Sequence, residues 1–215
     1  MRINKYLALS TGMSRRTADA TIQEGRVQIN GVLVTSGQQV GLDDTVILDG
    51  KAVRPAETTQ TIILNKPAGY VVSRDGQGSK TIYDLLPEEL HILKPVGRLD
   101  KDSSGLLLLT NDGELANKLT HPRYQKEKVY EVSLYIPLKD KDREAIESGI
   151  ELEDGISKLQ LDGKGKDWVV TMSEGRNRQI RRTFAEQGYT VKTLHRVQFG
   201  DYILKGTATG SHHLA

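Results

Sequence analysis

The sequence predicts an α+β fold in two parts: a small N-terminal module of paired helices and a hairpin, then a mixed, mainly antiparallel sheet with packed helices. Three observations carry this. Helical periodicity over residues 3–24 gives way directly to a hairpin signal. Beyond residue 60, strand and helix patterns mix without the strict alternation of a doubly wound parallel sheet. The run Leu106-Leu107-Leu108-Leu109 demands burial on both faces, as a central strand provides.

In the module, Ile3, Tyr6, Leu7 and Leu9 predict a short helix over Ile3–Leu9, with Gly12 as its stop. Ser14 is placed to cap a second helix over Arg15–Glu24, whose Ala18 and Ile22 share a face and whose exit is Gly25. Val27-Gln28-Ile29 and Val32-Leu33-Val34 flank Asn30-Gly31, whose tolerance of positive φ suits a two-residue hairpin turn. A strand at Thr45–Leu48 runs into a second such turn at Asp49-Gly50. Lys51–Thr61, with Pro55 and few large apolar residues, reads as a connection. In the second part, strands are expected near Thr61–Leu64, Tyr70–Ser73, Leu106–Thr110, Lys128–Tyr135 and Trp168–Met172. Helices are expected near Ile82–Leu86, Glu114–Thr120, Asp140–Ser148 and Arg178–Gln187. The resulting division is a module over 1–55, a linker over 56–61, a main domain over 62–206 and a mobile tail over 207–215.

Composition narrows the chemistry. With no cysteine among 215 residues, disulfides, thiolate metal sites and cysteine nucleophiles are absent, and a reducing, cytoplasmic setting is the default expectation. No apolar run approaches the roughly 20 residues of a membrane span, so no membrane partner is expected. His212-His213 in the tail lack carboxylate or cysteine companions and read as solvated polar sequence; no metal site is expected. The net charge is only +2, but its distribution is uneven. Arg2, Lys5, Arg15, Arg16 and Arg26 crowd the start against Asp19 and Glu24, and Arg176, Arg178, Arg181 and Arg182 crowd a later stretch. Two basic patches are therefore expected, as a polyanionic partner requires.

The most informative run extends from Gly97-Arg98-Leu99-Asp100-Lys101-Asp102-Ser103-Ser104-Gly105 through the four leucines to Thr110-Asn111-Asp112-Gly113. A polar loop entering a buried strand is anchored firmly enough to hold one side chain in one orientation. Asp100 and Asp102 are the candidates; on loop chemistry alone each reads as a turn or capping residue. No phosphate-binding glycine loop of the G-x-x-x-x-G-K type appears.

The stretch GRLDKDSSGLLLLTNDGELANKLTHP resembles the signature of ribosomal pseudouridine synthases of the RsuA and RluB kind. The likeness extends to Lys128-Val129-Tyr130-Glu131-Val132 and to Glu174-Gly175-Arg176-Asn177-Arg178-Gln179-Ile180-Arg181-Arg182, and covers essentially the whole chain. Ser14-Arg15-Arg16 and Gly25–Gly31 resemble the αL-type RNA-binding module shared with a small-subunit ribosomal protein. The resemblance implies a pseudouridine synthase fold and an isomerase that converts uridine to pseudouridine in ribosomal RNA, without a cofactor. It makes Asp100 the catalytic carboxylate, Tyr130 the base-stacking tyrosine and Arg181 the arginine that pairs with the aspartate, while Asp102 falls where the family varies. Arg98, Leu99, Arg176, Asn177, Arg178, Gln179, Arg182 and Leu194 are the implied substrate-binding residues. Lys5, Arg15, Arg16 and Arg26 are expected to anchor RNA through its phosphates. His195 matches no family role and reads as structural. Lys101 and His121-Pro122 bring the chain nearer to members acting on large-subunit rRNA. The expected partner is ribosomal RNA or a ribosomal assembly intermediate, met by a monomer; the alternative is an inactive RNA-binding or ribosome-assembly factor of the same fold.

Overall fold

The computed structural model of the protein describes residues 1–55 and 58–215. Ala56 and Glu57, in the expected linker, lie outside the described residues. The chain divides into two compact units, Met1–Gln60 with Glu88–Lys94, and Thr61–Pro87 with Pro95–Ala215. The short segment Glu88–Lys94, which the sequence places in the main domain, belongs to the first unit; there Lys94 Nζ donates to the carbonyls of Ala8 at 3.3 Å and Met13 at 2.9 Å.

In the first unit, α1 (Ile3–Thr11) ends at Gly12 with φ 75°, and α2 (Arg15–Gln23) starts where Ser14 Oγ accepts from Thr17 N at 3.0 Å. The helices pack on an antiparallel sheet ordered β2-β1-β3-β4, with β1 Val27–Ile29, β2 Val32–Leu33, β3 Val46–Leu48 and β4 Lys51–Val53. Both predicted turns form, with φ 52° and 82° at Asn30-Gly31 and 49° and 77° at Asp49-Gly50. The strand β4 corrects the reading of Lys51–Val53 as connection. Its exposed Lys51 and Ala52 carry no burial pattern, so only the turn before it announces the strand. Ile3, Leu7, Ala18, Ile22, Val27 and Val46 form the core of this unit.

The second unit is a mixed sheet of β5 (Thr61–Lys66), β6 (Ser104–Thr110), β7 (Lys128–Leu134), β10 (Gln160–Lys164), β11 (Asp167–Met172), β12 (Val191–Phe199) and β14 (His212–Leu214). The strands lie in the order β10-β11-β7-β12-β6-β5-β14, with β13 (Tyr202–Ile203) folded back on β12. Every pairing along this path is antiparallel except β12 with β6, so the expected mixed, mainly antiparallel sheet is present. A separate hairpin joins β8 (Ile150–Leu152) to β9 (Gly155–Ser157). The four leucines of β6 are fully buried. Helices α3 (Gly113–Thr120), α4 (Asp140–Ser148) and α5 (Gln179–Glu186) match their predicted positions within a residue or two.

Three local expectations are corrected here. Tyr70–Ser73 is a bent loop: Val71 makes one isolated bridge to Thr81, with a polar, glycine-containing stretch from Arg74 to Gly78 between them and no strand to join. Ile82–Leu85 is one turn of 3-10 helix, closed by a Thr81–Asp84 capping box and stopped before Pro87, rather than an α-helix. The tail is not loose, because β14 pairs antiparallel with Ile62–Leu64. An edge strand of this kind depends on its partner more than on its own pattern.

Candidate active site

The second unit carries a cleft of about 1080 Å³ at the loop between Gly97 and Ser103. This loop is tied from below. The fully buried Lys66, at the end of β5, donates from Nζ to the carbonyls of Ser103 at 2.7 Å, Pro67 at 3.0 Å and Asp100 at 3.2 Å. It is tied from the side by α5 and the residue before it. Arg178 forks onto Asp102 at 2.9 and 2.8 Å, and Arg181 donates to the Asp102 carbonyl at 3.0 Å and to the Val191 carbonyl at 3.1 Å. Arg178 reaches this position from a left-handed backbone, φ 47°, which is why α5 begins one residue later than its periodicity predicts.

The arginine facing Asp100 is therefore Arg178, with N–O 3.7 Å, whereas Arg181 forms its ion pair with Asp102 at 3.3 Å; the expected Asp100–Arg181 pair is not seen. The hydrogen bonds from Arg178 hold the Asp102 carboxyl below the usual carboxylate range against its partial desolvation, and Asp102 reciprocally raises Arg178. Two carboxylates line the cleft, Asp100 and Glu174. Glu174 is engaged by Arg176 and Gln179. Among the described residues, Asp100 keeps its carboxylate free of hydrogen bonds at 33% exposure.

The lining of the cleft is mixed: Leu99, Leu194, Met172 and Phe199 contribute apolar surface, with Tyr130 from β7, beside the charged Arg98, Lys128, Arg178 and Arg196. Tyr130 is 8% exposed and stands opposite Arg196 across β7 and β12. The apolar part of this lining suits a flat neutral ring beside the Asp100 carboxylate.

Of the predicted residues, the cleft thus gathers Asp100, Tyr130, Arg98, Leu99, Asn177, Arg178 and Leu194, while Arg181 and Arg182 stand outside its lining. Arg176 and Gln179 line it but are turned to structural work. Arg176 binds Asp154 and the Gly155 and Ile156 carbonyls, and the buried Gln179 bonds Ser157 and the Arg176 amide. Arg182 grips Asp154 at 3.0 and 2.7 Å. Together these three fasten the β8–β9 hairpin to α5. In the first unit Lys5, Arg15 and Arg16 are exposed and have no ion pair among the described residues, but Arg26 forks onto Asp49 at 2.8 and 2.6 Å and also reaches Glu24. Sequence reasoning gave no role to Lys66, Lys128 or Arg196; the one signal was a lysine directly before Pro67 at the end of an apolar strand.

The profile of the RNA pseudouridylate synthase family matches residues 60–186, the stretch that contains the loop, Asp100 and α5. The chain belongs to this family. The S4 domain profile matches residues 1–46, the helix pair and hairpin of the first unit. The chain is 40% identical to the ribosomal large subunit pseudouridine synthase B of Bacillus subtilis, over 97% of this chain and 89% of the relative. It is 36% identical to the dual-specificity RNA pseudouridine synthase RluF of Escherichia coli O6:H1, over 98% and 73% of the two. A solved structure described as a pseudouridylate synthase superimposes with a TM-score of 0.72 at 33% identity, covering 100% of this chain and 96% of that one. Among the described residues, no helix of this family member is long and apolar enough to cross a membrane.

Proposed function

We propose that the protein isomerises uridine to pseudouridine in ribosomal RNA, with the large subunit as the favoured target and Asp100 as the catalytic carboxylate. One observation carries the reading: among the described residues Asp100 is the cleft carboxylate left free of hydrogen bonds, in a cleft it shares with Leu99, Tyr130 and Leu194, in a chain of this family. The reaction breaks the N1–C1′ bond, turns the uracil, joins C5 to C1′, releases the C5 proton to solvent and takes one proton up at N1, so it needs neither redox partner nor co-substrate. Asp100 acts on the sugar or the base while that bond is broken. Arg178 and, through Asp102, Arg181 fix the loop and bring positive charge to its side of the cleft. Tyr130 stacks on the extruded uracil, and its hydroxyl accepts the C5 proton. Arg98, Leu99, Asn177 and Leu194 complete the uridine pocket.

Extruding a base costs a few kcal/mol, which RNA binding elsewhere must supply. Lys5, Arg15 and Arg16 do so through phosphate contacts, with little sequence readout. The protein acts as a cytoplasmic monomer on rRNA or an assembly intermediate.

The test maps pseudouridine in rRNA from cells lacking the protein, complemented with the natural chain or with Asp100→Asn. Loss of one or a few sites, restored only by the natural chain, establishes activity and target together. An unchanged map points to a non-catalytic RNA-binding role.

A further inference from the structure

Among the described residues, Arg196 is a buried cation without a counter-charge. Its side chain is 2% exposed, its Nε donates to the Leu106 carbonyl at 2.8 Å, and its Nη2 is buried with no hydrogen-bond partner. A guanidinium cannot shed its proton to relieve that situation, and an unsatisfied buried donor costs about 1–3 kcal/mol, more when charged. It lines the cleft beside Tyr130.

A second cation stands next to it. Lys128 pairs in register with Phe199, as Arg196 does with Tyr130, and the extra residue Val197 bulges out between Arg196 and Gln198. The bulge brings Arg196 and Phe199, three positions apart, to the same face. The Arg196 guanidinium then lies 4.9 Å and the Lys128 ammonium 5.2 Å from the centre of the Phe199 ring. Lys128 donates to the carbonyls of Glu174 at 3.1 Å and Lys126 at 3.3 Å, and among the described residues neither cation has an ion pair. Burial, and secondarily Arg196, push the Lys128 pKa down, while Glu174 raises it. The Glu174 carboxylate is itself held by Arg176 and Gln179.

We infer that Arg196 and Lys128 form an inner anion site in the cleft wall, which takes an RNA phosphodiester adjoining the uridine held between Asp100 and Tyr130. The inference rests on the reading of the cleft as a uridine site. A guanidinium fork and an ammonium point charge match the oxygens of a phosphate, whereas uracil presents only neutral acceptors. The phosphate gives the orphaned donor its partner and the two like charges their counter-ion. It also registers the sugar against Asp100, since phosphate contacts position a nucleic acid without reading its sequence.

The full-length protein is titrated with uridine, uridine 3′-monophosphate, uridine 5′-monophosphate and inorganic phosphate at fixed ionic strength, and binding is followed by NMR. At least one monophosphate is expected to bind ten or more times as tightly as uridine. Arg196→Gln and Lys128→Gln should each remove most of that preference while leaving uridine affinity in place. Lys128→Gln carries the test alone if Arg196→Gln fails to fold, because the hydrogen bonds of the Lys128 ammonium go to two backbone carbonyls that a glutamine amide can also reach. Equal affinity for uridine and both monophosphates, no detectable binding of any of the four, or a preference that survives the substitutions overturns the site. Tritium release from C5-labelled rRNA, measured in parallel, separates this inference from the isomerase reading. Release without a phosphate preference overturns the anion site alone; a phosphate preference without release supports the site and removes the isomerase assignment.

Discussion

The Lys66 ammonium holds the Asp100 backbone, donating to its carbonyl at 3.2 Å from a fully buried position. Burial lowers the Lys66 pKa to about 8, against the pull of Asp100 and then Asp102. From about pH 8 to 10.5 the unfolded chain keeps a proton that the folded protein has shed, so the free energy of unfolding due to Lys66 rises with pH across that window. Denaturant titrations at pH 7, 8, 9 and 10 should show the difference between wild type and Lys66→Met growing in favour of wild type. A difference independent of pH would remove Lys66 as a titrating group.

Replacing Asp100 with Asn keeps the loop, whose ties run through backbone carbonyls and Asp102, and removes the charge. Turnover should fall by about 10³-fold or more with RNA affinity held. Tritium release and filter binding measure the two, and substantial residual turnover would move the chemistry elsewhere in the cleft.

Tyr130→Phe retains the ring and deletes only the hydroxyl. RNA affinity should be unchanged and turnover slowed by about 10²-fold. Unaltered single-turnover rates would leave Tyr130 as a stacking surface alone.

In the first unit the arginines divide by their partners. Arg15→Glu with Arg16→Glu should weaken RNA binding about 10- to 100-fold near 100 mM salt and flatten its salt dependence by about two phosphate contacts. Arg26→Glu breaks the fork to Asp49 and should instead lower the melting temperature. Identical effects of the two changes on RNA binding would contradict this division.

Gly105 lies where β6 meets β12, with φ 103°; an added Cβ would come within 2.2 Å of the Arg196 carbonyl oxygen and 2.6 Å of its nitrogen. Gly105→Ala is expected to cost at least about 3 kcal/mol, a fall of roughly 6–12 °C in melting temperature. Calorimetry showing a change under 2 °C, about half a kcal/mol, would mean that the two strands can part there without penalty.

Elements whose chemistry is local were legible before any coordinates. Ser14 capped its helix, Asn30-Gly31 and Asp49-Gly50 turned as their backbone freedom requires, and Leu106–Leu109 took a buried strand. Strand β12 was hidden because His195, Arg196 and Gln198 interrupt its apolar pattern and Val197 breaks its alternation. Strand β14 was hidden because nothing in His212–Leu214 signals a strand without its partner Ile62–Leu64. In the site, Asp100 stood out only through family likeness, since a loop aspartate alone reads as a turn residue. The Arg176–Arg182 cluster read as one basic face, yet Asp154, distant in sequence, claims Arg176 and Arg182 and leaves Arg178 turned toward the loop.

The bulge at Val197 makes the cleft depend on counting as well as on composition. Side chains along a strand alternate by parity, and one supernumerary residue is what lets Arg196 and Phe199 look the same way. Deleting Val197 alone would leave Arg196 and Phe199 two positions apart, where ordinary alternation already sets them on one face. Straightening the bulge with the residue kept is what would turn Phe199 to the opposite side of the sheet and take the aromatic ring from the wall beside Tyr130.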